Sequence, residues 1–310
     1  MKDSFLRDID YLRVSLTDLC NYRCIYCMKE GGVDKKPHNE ILTLEEIFDV
    51  IEGFVSLGGR KVRFTGGEPL IRRNAVYLIE NVLKELPLEK VGLTTNGVFL
   101  PEHIDRLKDA GLQSVNISID TLDRDTYSHI TLGGELQDAL KGLSCAKENI
   151  KEVKINSVLM RGINDDKIKE FVDFANDMDT PIRFIELMPF AENNAYNKFG
   201  ILATDIIERY GLTFVEKVGN TEYYFFSDGK KVGFIRPLSH KFCDTCNRLR
   251  LTSDGKLLPC LHGDKEIDIK PYIKEGRIRD AFKDAALQKP FCHQLDNGKI
   301  QTRKMNYIGG

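Results

Sequence analysis

The sequence predicts an α/β fold: an incomplete (βα)6 TIM-type barrel followed by a smaller C-terminal α+β module. Three observations predict it. Six short β-branched runs alternate with helical patterns through the first two thirds of the chain, as in parallel-sheet proteins. After about residue 200 the pattern changes to hairpins. At 310 residues the chain exceeds one average domain yet suits a barrel with an appendage. The barrel is placed at 1–220 and the module at 221–310.

The strand runs are YLRVSLT (11–17), KVRFTG (61–66), KVGLTTNG (90–97), SVNISID (114–120), KINSVLM (154–160) and IRFIELM (182–188). Between the first two, Thr43 with Glu46 three residues later reads as a capping box opening the amphipathic run LEEIFDVIEGFVSLG, and Gly58 and Gly59 close it. The run NDDKIKEFVDFANDM reads as another helix. Beyond the short helix TDIIERYG, the stretches FVEKV, EYYFFSDGKKVGFIRP and RLRLTSDGKLLPCL predict hairpins with Asp-Gly turns at 228–229 and 254–255. The charge-rich KEGGVDKK reads as a solvated loop.

Composition sets outer bounds. With 42% hydrophobic residues the chain can bury a sizeable core, and a net charge of -2 gives no global basic field of the kind nucleic-acid binders carry. The first residues, MKDSFLRDIDYLRV, are too charged for a signal peptide, and no apolar run is long enough to span a bilayer. The expected location is the cytoplasm, with no nucleic-acid or membrane partner. In that reducing compartment eight cysteines point to metal or redox chemistry rather than disulfides.

Cys20, Cys24 and Cys27 form CxxxCxxC directly after the first strand, where barrel chemistry is expected. Three thiolates cannot close a tetrahedral zinc site, but they can hold three irons of a 4Fe-4S cubane and leave the fourth iron open. A zinc knuckle borrowing His38 is the alternative. A second set, Cys243, Cys246 and Cys260, again supplies three ligands; structural zinc with His240 or His262 fits its spacing as well. Beside it, Arg248 and Arg250 fall on one side of a strand and offer planar recognition of phosphate, which favours a cluster with an open iron beside an anionic substrate. Cys145 and Cys292 read as structural.

CxxxCxxC with Tyr26 before its last cysteine, the downstream GGEP at 66–69 and the six-unit βα pattern together resemble the radical S-adenosylmethionine (SAM) enzymes. Taken alone, GGEP reads equally well as a turn. With NRLR beside the second triad and the ending MNYIGG, the chain is similar over essentially its whole length to the branch that cyclises GTP in the first step of molybdenum cofactor biosynthesis. The resemblance implies a lyase with SAM and two 4Fe-4S clusters, the second carried by the C-terminal module. SAM chelates the open iron of the first cluster and yields a 5′-deoxyadenosyl radical, which takes the C3′ hydrogen of GTP. The C3′ radical then attacks C8, giving (8S)-3′,8-cyclo-7,8-dihydroguanosine 5′-triphosphate. Implied partners are GTP, a low-potential electron donor and a downstream cyclic pyranopterin monophosphate synthase. A homodimer is among the assemblies left open.

By motif position, the resemblance implies that Arg13, Arg63, Thr94, Arg161, Arg248, Leu249 and Arg250 contact GTP. Tyr26, Gly67, Ser118 and Met188 would line the SAM site, and the terminal Gly309 and Gly310 would reach the radical chemistry. Arg161 stands where the family has lysine, so the charge survives but the geometry differs. Leu19 replaces the arginine of the family's TDRCN, with the three ligands intact. Plainer readings stand beside these: Thr94 and Ser118 as strand-end hydrogen-bonders, Met188 as core, the terminal glycines as a frayed end. Arg13 interrupts an apolar strand, and an inward arginine needs an anionic partner. A radical SAM peptide maturase would carry more C-terminal cysteines, and an electron carrier or zinc adaptor has no use for GGEP and a barrel.

Overall fold

The computed structural model describes residues 1–310 except 29–30, 33–35, 191–193, 296–302, 304 and 310. Its leading strands are β1 (Tyr11–Ser15), β2 (Lys61–Thr65), β3 (Lys90–Thr95), β4 (Ser114–Ser118), β5 (Glu152–Leu159) and β6 (Ile182–Glu186). Each pairs in parallel with the next. Helices α1 (Leu44–Val55), α2 (Ala75–Glu85), α3 (Leu100–Asp109), α4 (Arg124–Thr131), α5 (Leu136–Asn149) and α6 (Ile168–Asp177) fill the crossovers, with two of them between β4 and β5. All six expected strands are present.

The first crossover shows how the sequence builds the wall. The Thr43 hydroxyl accepts from the Glu46 N–H (3.1 Å) and the Glu46 carboxylate accepts from the Thr43 N–H (2.8 Å), which closes the capping box at the start of α1. From that fixed start, Ile47, Val50, Ile51 and Phe54 recur at helical spacing and are buried. Phe54 meets Phe282 at a centroid distance of 5.2 Å.

The C-terminal part extends this sheet instead of forming a separate layer. After α7 (Ala195–Phe199) and α8 (Ala203–Arg209) come β7 (Thr213–Val218), β8 (Thr221–Phe225), β9 (Lys231–Ile235), β10 (Arg248–Leu251), β11 (Lys256–Leu258) and β12 (Ile267–Asp268), then α9 (Lys270–Lys274) and α10 (Ile278–Leu287). The expected hairpins form at Gly229 and Gly255, both with positive φ. However, β9 pairs in parallel with β6 and β10 in parallel with β1. Among the described residues the result is one twelve-stranded sheet in the order β12-β11-β10-β1-β2-β3-β4-β5-β6-β9-β8-β7. The division at residue 220 falls in the turn between β7 and β8, whose ends pair through Val218 and Thr221.

The loop after β3 is held from outside by α5. Gly142 presses on the carbonyl of Gly97, where an added Cβ would lie 2.1 Å from that oxygen. Alanine ordinarily favours a helix over glycine by about 1 kcal/mol. Here backbone against backbone cannot give way, so Gly142→Ala should instead lower stability by roughly 1–3 kcal/mol, read as a fall in denaturation midpoint.

Candidate active site

The C-terminal ends of β1 to β6 form one rim. The loop after β1 carries Cys20, Cys24 and Cys27. Arg23 folds it back, donating to the carbonyls of Cys20 (2.5 Å) and Tyr22 (2.9 Å), while the N–H groups of Arg23 and Ile25 donate to Thr131 and Ile130. Burial is the first cause for all three thiols: it pushes Cys20 up to about 11, with the Glu68 charge adding to it, and it pushes Cys27 up to about 12 and Cys24 well above the ordinary value, with the charge of neighbouring thiols adding to it. Three buried thiols of this kind become thiolates only around a cation, which fits an iron-sulfur cubane taking one sulfur per iron. Among the described residues no three His, Cys, Asp or Glu side chains converge as a single metal ion requires; a cubane does not impose that condition.

The GGEP loop locks onto the cysteine loop. Gly67 donates to the Thr17 carbonyl (2.6 Å) and Glu68 to the Leu19 carbonyl (2.9 Å). The Glu68 carboxylate accepts from Leu70 N–H, the Thr95 hydroxyl and Asn96 N–H, and the Asn96 amide reaches Asn21 (2.8 Å). Burial pushes Glu68 up to about 7. Across the rim the Tyr26 hydroxyl donates to Asp120 (2.8 Å), whose other oxygen accepts from Val158 N–H (2.7 Å); burial raises Asp120 to about 6. Among the described residues, the Thr94 hydroxyl and both oxygens of the Asp18 carboxylate are buried with no hydrogen-bond partner. Ser118 ends β4, and Met188 lies 3.1 Å from His262 Nε2 among Phe190, Leu258 and Ile308.

Deeper in the sheet, register collects cations. Arg13 on β1 stands level with Arg250 on β10 and Arg63 on β2. Arg63 donates to the Tyr11 hydroxyl (2.9 Å), the Leu93 carbonyl (2.8 Å) and the Ser114 hydroxyl (2.8 Å), across the gap that Gly92 leaves open. Burial and then Arg250 depress Arg13 well below its ordinary value, and burial with Arg248 brings Arg250 down to about 10. Arg248 lies 5.5 Å over the Tyr11 ring. Arg183 on β6 belongs to the same group: burial and Arg63 bring it down to about 10, and it holds Asn156. Sequence reading passed over it, although it interrupts IRFIE as Arg13 interrupts its own strand.

Two candidates stand apart. Leu249 alternates away from its arginine neighbours into the core. Arg161 is exposed and donates to the Gly200 carbonyl (3.1 Å).

The C-terminal segment enters this space. Ile308 and Gly309 are buried, and the Gly309 carbonyl accepts from Arg250 (3.1 Å) and Arg13 (3.4 Å). Gly309 has φ +72°, and a Cβ there would meet Thr65 at 2.8 Å and Ser15 at 3.1 Å, so only glycine fits between β1 and β2. Gly310 lies outside the described residues. Asn306 donates to the Asp18 carbonyl (3.1 Å) and its N–H faces the Cys27 sulfur. Lys36 and Arg303 converge on Asp254 at 2.6 and 3.2 Å, and Lys36 lies 4.7 Å over the Tyr307 ring.

At the second triad a short turn joins Cys243 and Cys246 (3.2 Å between their backbone groups), and Cys260 lies within electrostatic reach of both. A fourth thiol adjoins it. Cys292, read from sequence as structural, sits against Cys243, which burial, offset in part by His293 N–H, pushes up to about 12. Burial opposes ionisation of Cys246 as well, but the Lys289 charge with the N–H and charge of Arg248 together outweigh it and hold that thiol below its ordinary value. Of the histidines suggested for zinc, His240 pairs with Glu222 (2.5 Å) and His262 faces Met188.

A partial barrel that gathers three cysteine thiols after β1 and binds GGEP against them has the architecture of a radical SAM enzyme. The radical SAM superfamily model matches residues 14–175, and the Molybdenum Cofactor Synthesis C model matches residues 180–295. Two curated relatives, the GTP 3′,8-cyclases of Alkaliphilus oremlandii and Petrotoga mobilis, are 43% and 45% identical, each over 100% of both chains. Among solved structures, Streptococcus suis SuiB bound to S-adenosylmethionine is 16% identical with a TM-score of 0.66. That alignment covers 90% of this chain and 66% of SuiB. Native anSMEcpe with bound AdoMet is 14% identical with a TM-score of 0.64, over 94% and 82%. Those two likenesses concern the fold. The chain belongs to the radical SAM superfamily and, within it, to the GTP 3′,8-cyclase family.

A methyl on Gly67 would lie 2.1 Å from the Leu19 carbonyl and 2.9 Å from that of Asp18, forcing the GGEP and cysteine loops apart. Gly67→Ala should therefore fold with native circular dichroism yet retain under half the iron of the wild type at the first triad, measured in a Cys246→Ala background.

Proposed function

We propose that this chain is a GTP 3′,8-cyclase, forming (8S)-3′,8-cyclo-7,8-dihydroguanosine 5′-triphosphate from GTP and so opening molybdenum cofactor biosynthesis. The observation that carries the reading is full-length identity of 43–45% to enzymes of that name, in a chain whose buried arginines supply a polyanion site. Crowded guanidiniums repel one another, so a triphosphate is the partner that relieves their burial.

Cys20, Cys24 and Cys27 would hold the cluster that binds SAM, and Cys243, Cys246 and Cys260 a second one facing GTP. A cluster held at the first triad would supply the electron for cleavage of SAM. Tyr26, anchored by Asp120, and Gly67, Ser118 and Met188 would line the SAM pocket. Arg13, Arg63, Arg248 and Arg250, with Arg183, would grip the triphosphate, and Thr94 offers its hydroxyl. Arg161 and Leu249 lie outside that cluster, and any contact from them would come from another direction. Gly309 and Gly310 would bring backbone to the reacting centre. A low-potential electron donor and the downstream synthase complete the expected partners. No helix among the described residues is long and apolar enough to cross a membrane.

Anaerobic incubation with SAM, a reductant and GTP, followed by identification of the nucleotide, tests the reading; unchanged GTP refutes it. Fully loaded protein should contain about eight irons per chain, as two cubanes require. Cys24→Ala should abolish formation of 5′-deoxyadenosine, whereas Cys246→Ala should lose the cyclised nucleotide and keep uncoupled cleavage of SAM. Equal loss of cleavage in both would refute this division of labour.

Tyr11 gives a pH signature. Burial alone would raise its phenol, but Arg63, Arg13 and Arg248 outweigh burial and bring it down to about 8. Above that pH a phenolate neutralises part of the arginine charge and must take up a proton when the triphosphate binds. Affinity for GTP should thus fall as pH rises, by roughly tenfold at one unit above the phenol's pKa. Tyr11→Phe should lack this inflection in an equilibrium binding titration.

A further inference from the structure

Lys289 is only 3% exposed, and its ammonium donates to the carbonyls of Arg248 (2.7 Å) and Pro259 (2.7 Å), two residues after Cys246 and one before Cys260, with the Cys246 sulfur within its electrostatic reach. No carboxylate forms an ion pair with it among the described residues. Carbonyls satisfy its N–H groups but carry no net charge, and an ammonium buried without an anion is strongly unfavourable. The compensating charge must therefore come from the sulfur side.

The segment that carries Lys289 is fastened across the triad at several points. Arg7, itself paired with Asp3 (2.6 Å), donates through Nη1 to the carbonyls of Cys243 (2.5 Å) and Phe291 (2.9 Å), and through Nη2 to that of Pro290 (2.7 Å). His293 Nε2 lies 3.0 Å from the Pro237 carbonyl. The strap KPFCH (289–293) is thus tied both to the cysteine loop and to the N-terminal segment. It sets an ammonium against Cys246, and the His293 N–H and the Cys292 thiol against Cys243.

We propose that Lys289 is the built-in counter-charge of the second triad, a positioning residue that balances the negative charge of the 4Fe-4S cluster bound there and so sets its reduction potential. The proposal rests on the reading that this triad holds such a cluster. Three thiolates on an oxidised cubane leave the assembly with net negative charge, and reduction adds more. A fixed cation held beside the ligands therefore favours the reduced form, as net charge and hydrogen bonds to the sulfurs do in iron-sulfur sites generally.

The test uses full-length chain carrying Cys24→Ala, so that only the second site loads, reconstituted anaerobically and titrated electrochemically with paramagnetic resonance as the readout. Lys289→Met keeps the stem and removes the charge; Lys289→Arg keeps the charge. The Met variant should hold its iron at a more negative midpoint potential, with the Arg variant near the parent. Loss of iron from the Met variant alone supports the same role in a stronger form. An unchanged midpoint in the Met variant overturns the proposal, and so does equal loss of iron from both variants, which would mark Lys289 as a packing residue. If the Cys24→Ala parent itself takes up zinc or no iron, the cluster reading fails first, and the proposal falls with it.

Discussion

Parallel pairing of β1 with β10 is the interaction on which the site depends. It sets Arg13 level with Arg250 and Tyr11 level with Arg248, while β2 on the other side sets Arg63 in the same row. Side chains two apart on a strand share a face, so the β1–β10 register gathers three guanidiniums and the β1–β2 register adds the fourth. A slip of one residue would turn Arg248 and Arg250 into the core and bring Leu249 inward. The fully buried Leu249 resists that slip, because exchanging it for a guanidinium would bury an uncompensated charge.

Buried groups that ionise only in company recur through the molecule. Three thiols after β1 oppose one another, the barrel arginines depress one another, and Lys289 lies against a sulfur. Each arrangement carries unfavourable electrostatics that a ligand of opposite charge would relieve. The peptide scaffold offsets part of that cost with hydrogen bonds, as when Arg63 spends three N–H groups on Tyr11, Leu93 and Ser114.

Local signals in the sequence were readable because they are local. The capping box at Thr43, the Asp-Gly turns and the six strands need only neighbours in the chain, and CxxxCxxC needs eight consecutive residues. Arg13 was readable as an inward charge in an apolar strand. Arg183 carried the same signal in IRFIE, but no motif drew attention to it. Cys292 is far in sequence from Cys243, and their meeting depends on Arg7 clamping two carbonyls from different segments. The union of module and barrel in one sheet was likewise hidden, since hairpin patterns do not say which strand a free edge will pair with. Arg161 matches the motif by position, and its guanidinium donates to the Gly200 carbonyl.

The pairing of β1 with β10 also has a bearing on how the chain is made. Strand β1 (Tyr11–Ser15) is made long before β10 (Arg248–Leu251), and β2 soon covers one of its edges, but the other edge waits for β10. Until that strand is synthesised, a row of unpaired backbone groups beside buried Leu12 and Val14 stands open, the kind of edge that recruits foreign strands. Ribosome-bound intermediates of this protein therefore expose a sticky seam for most of translation. Chaperone occupancy on the nascent chain should fall only once β10 has left the exit tunnel.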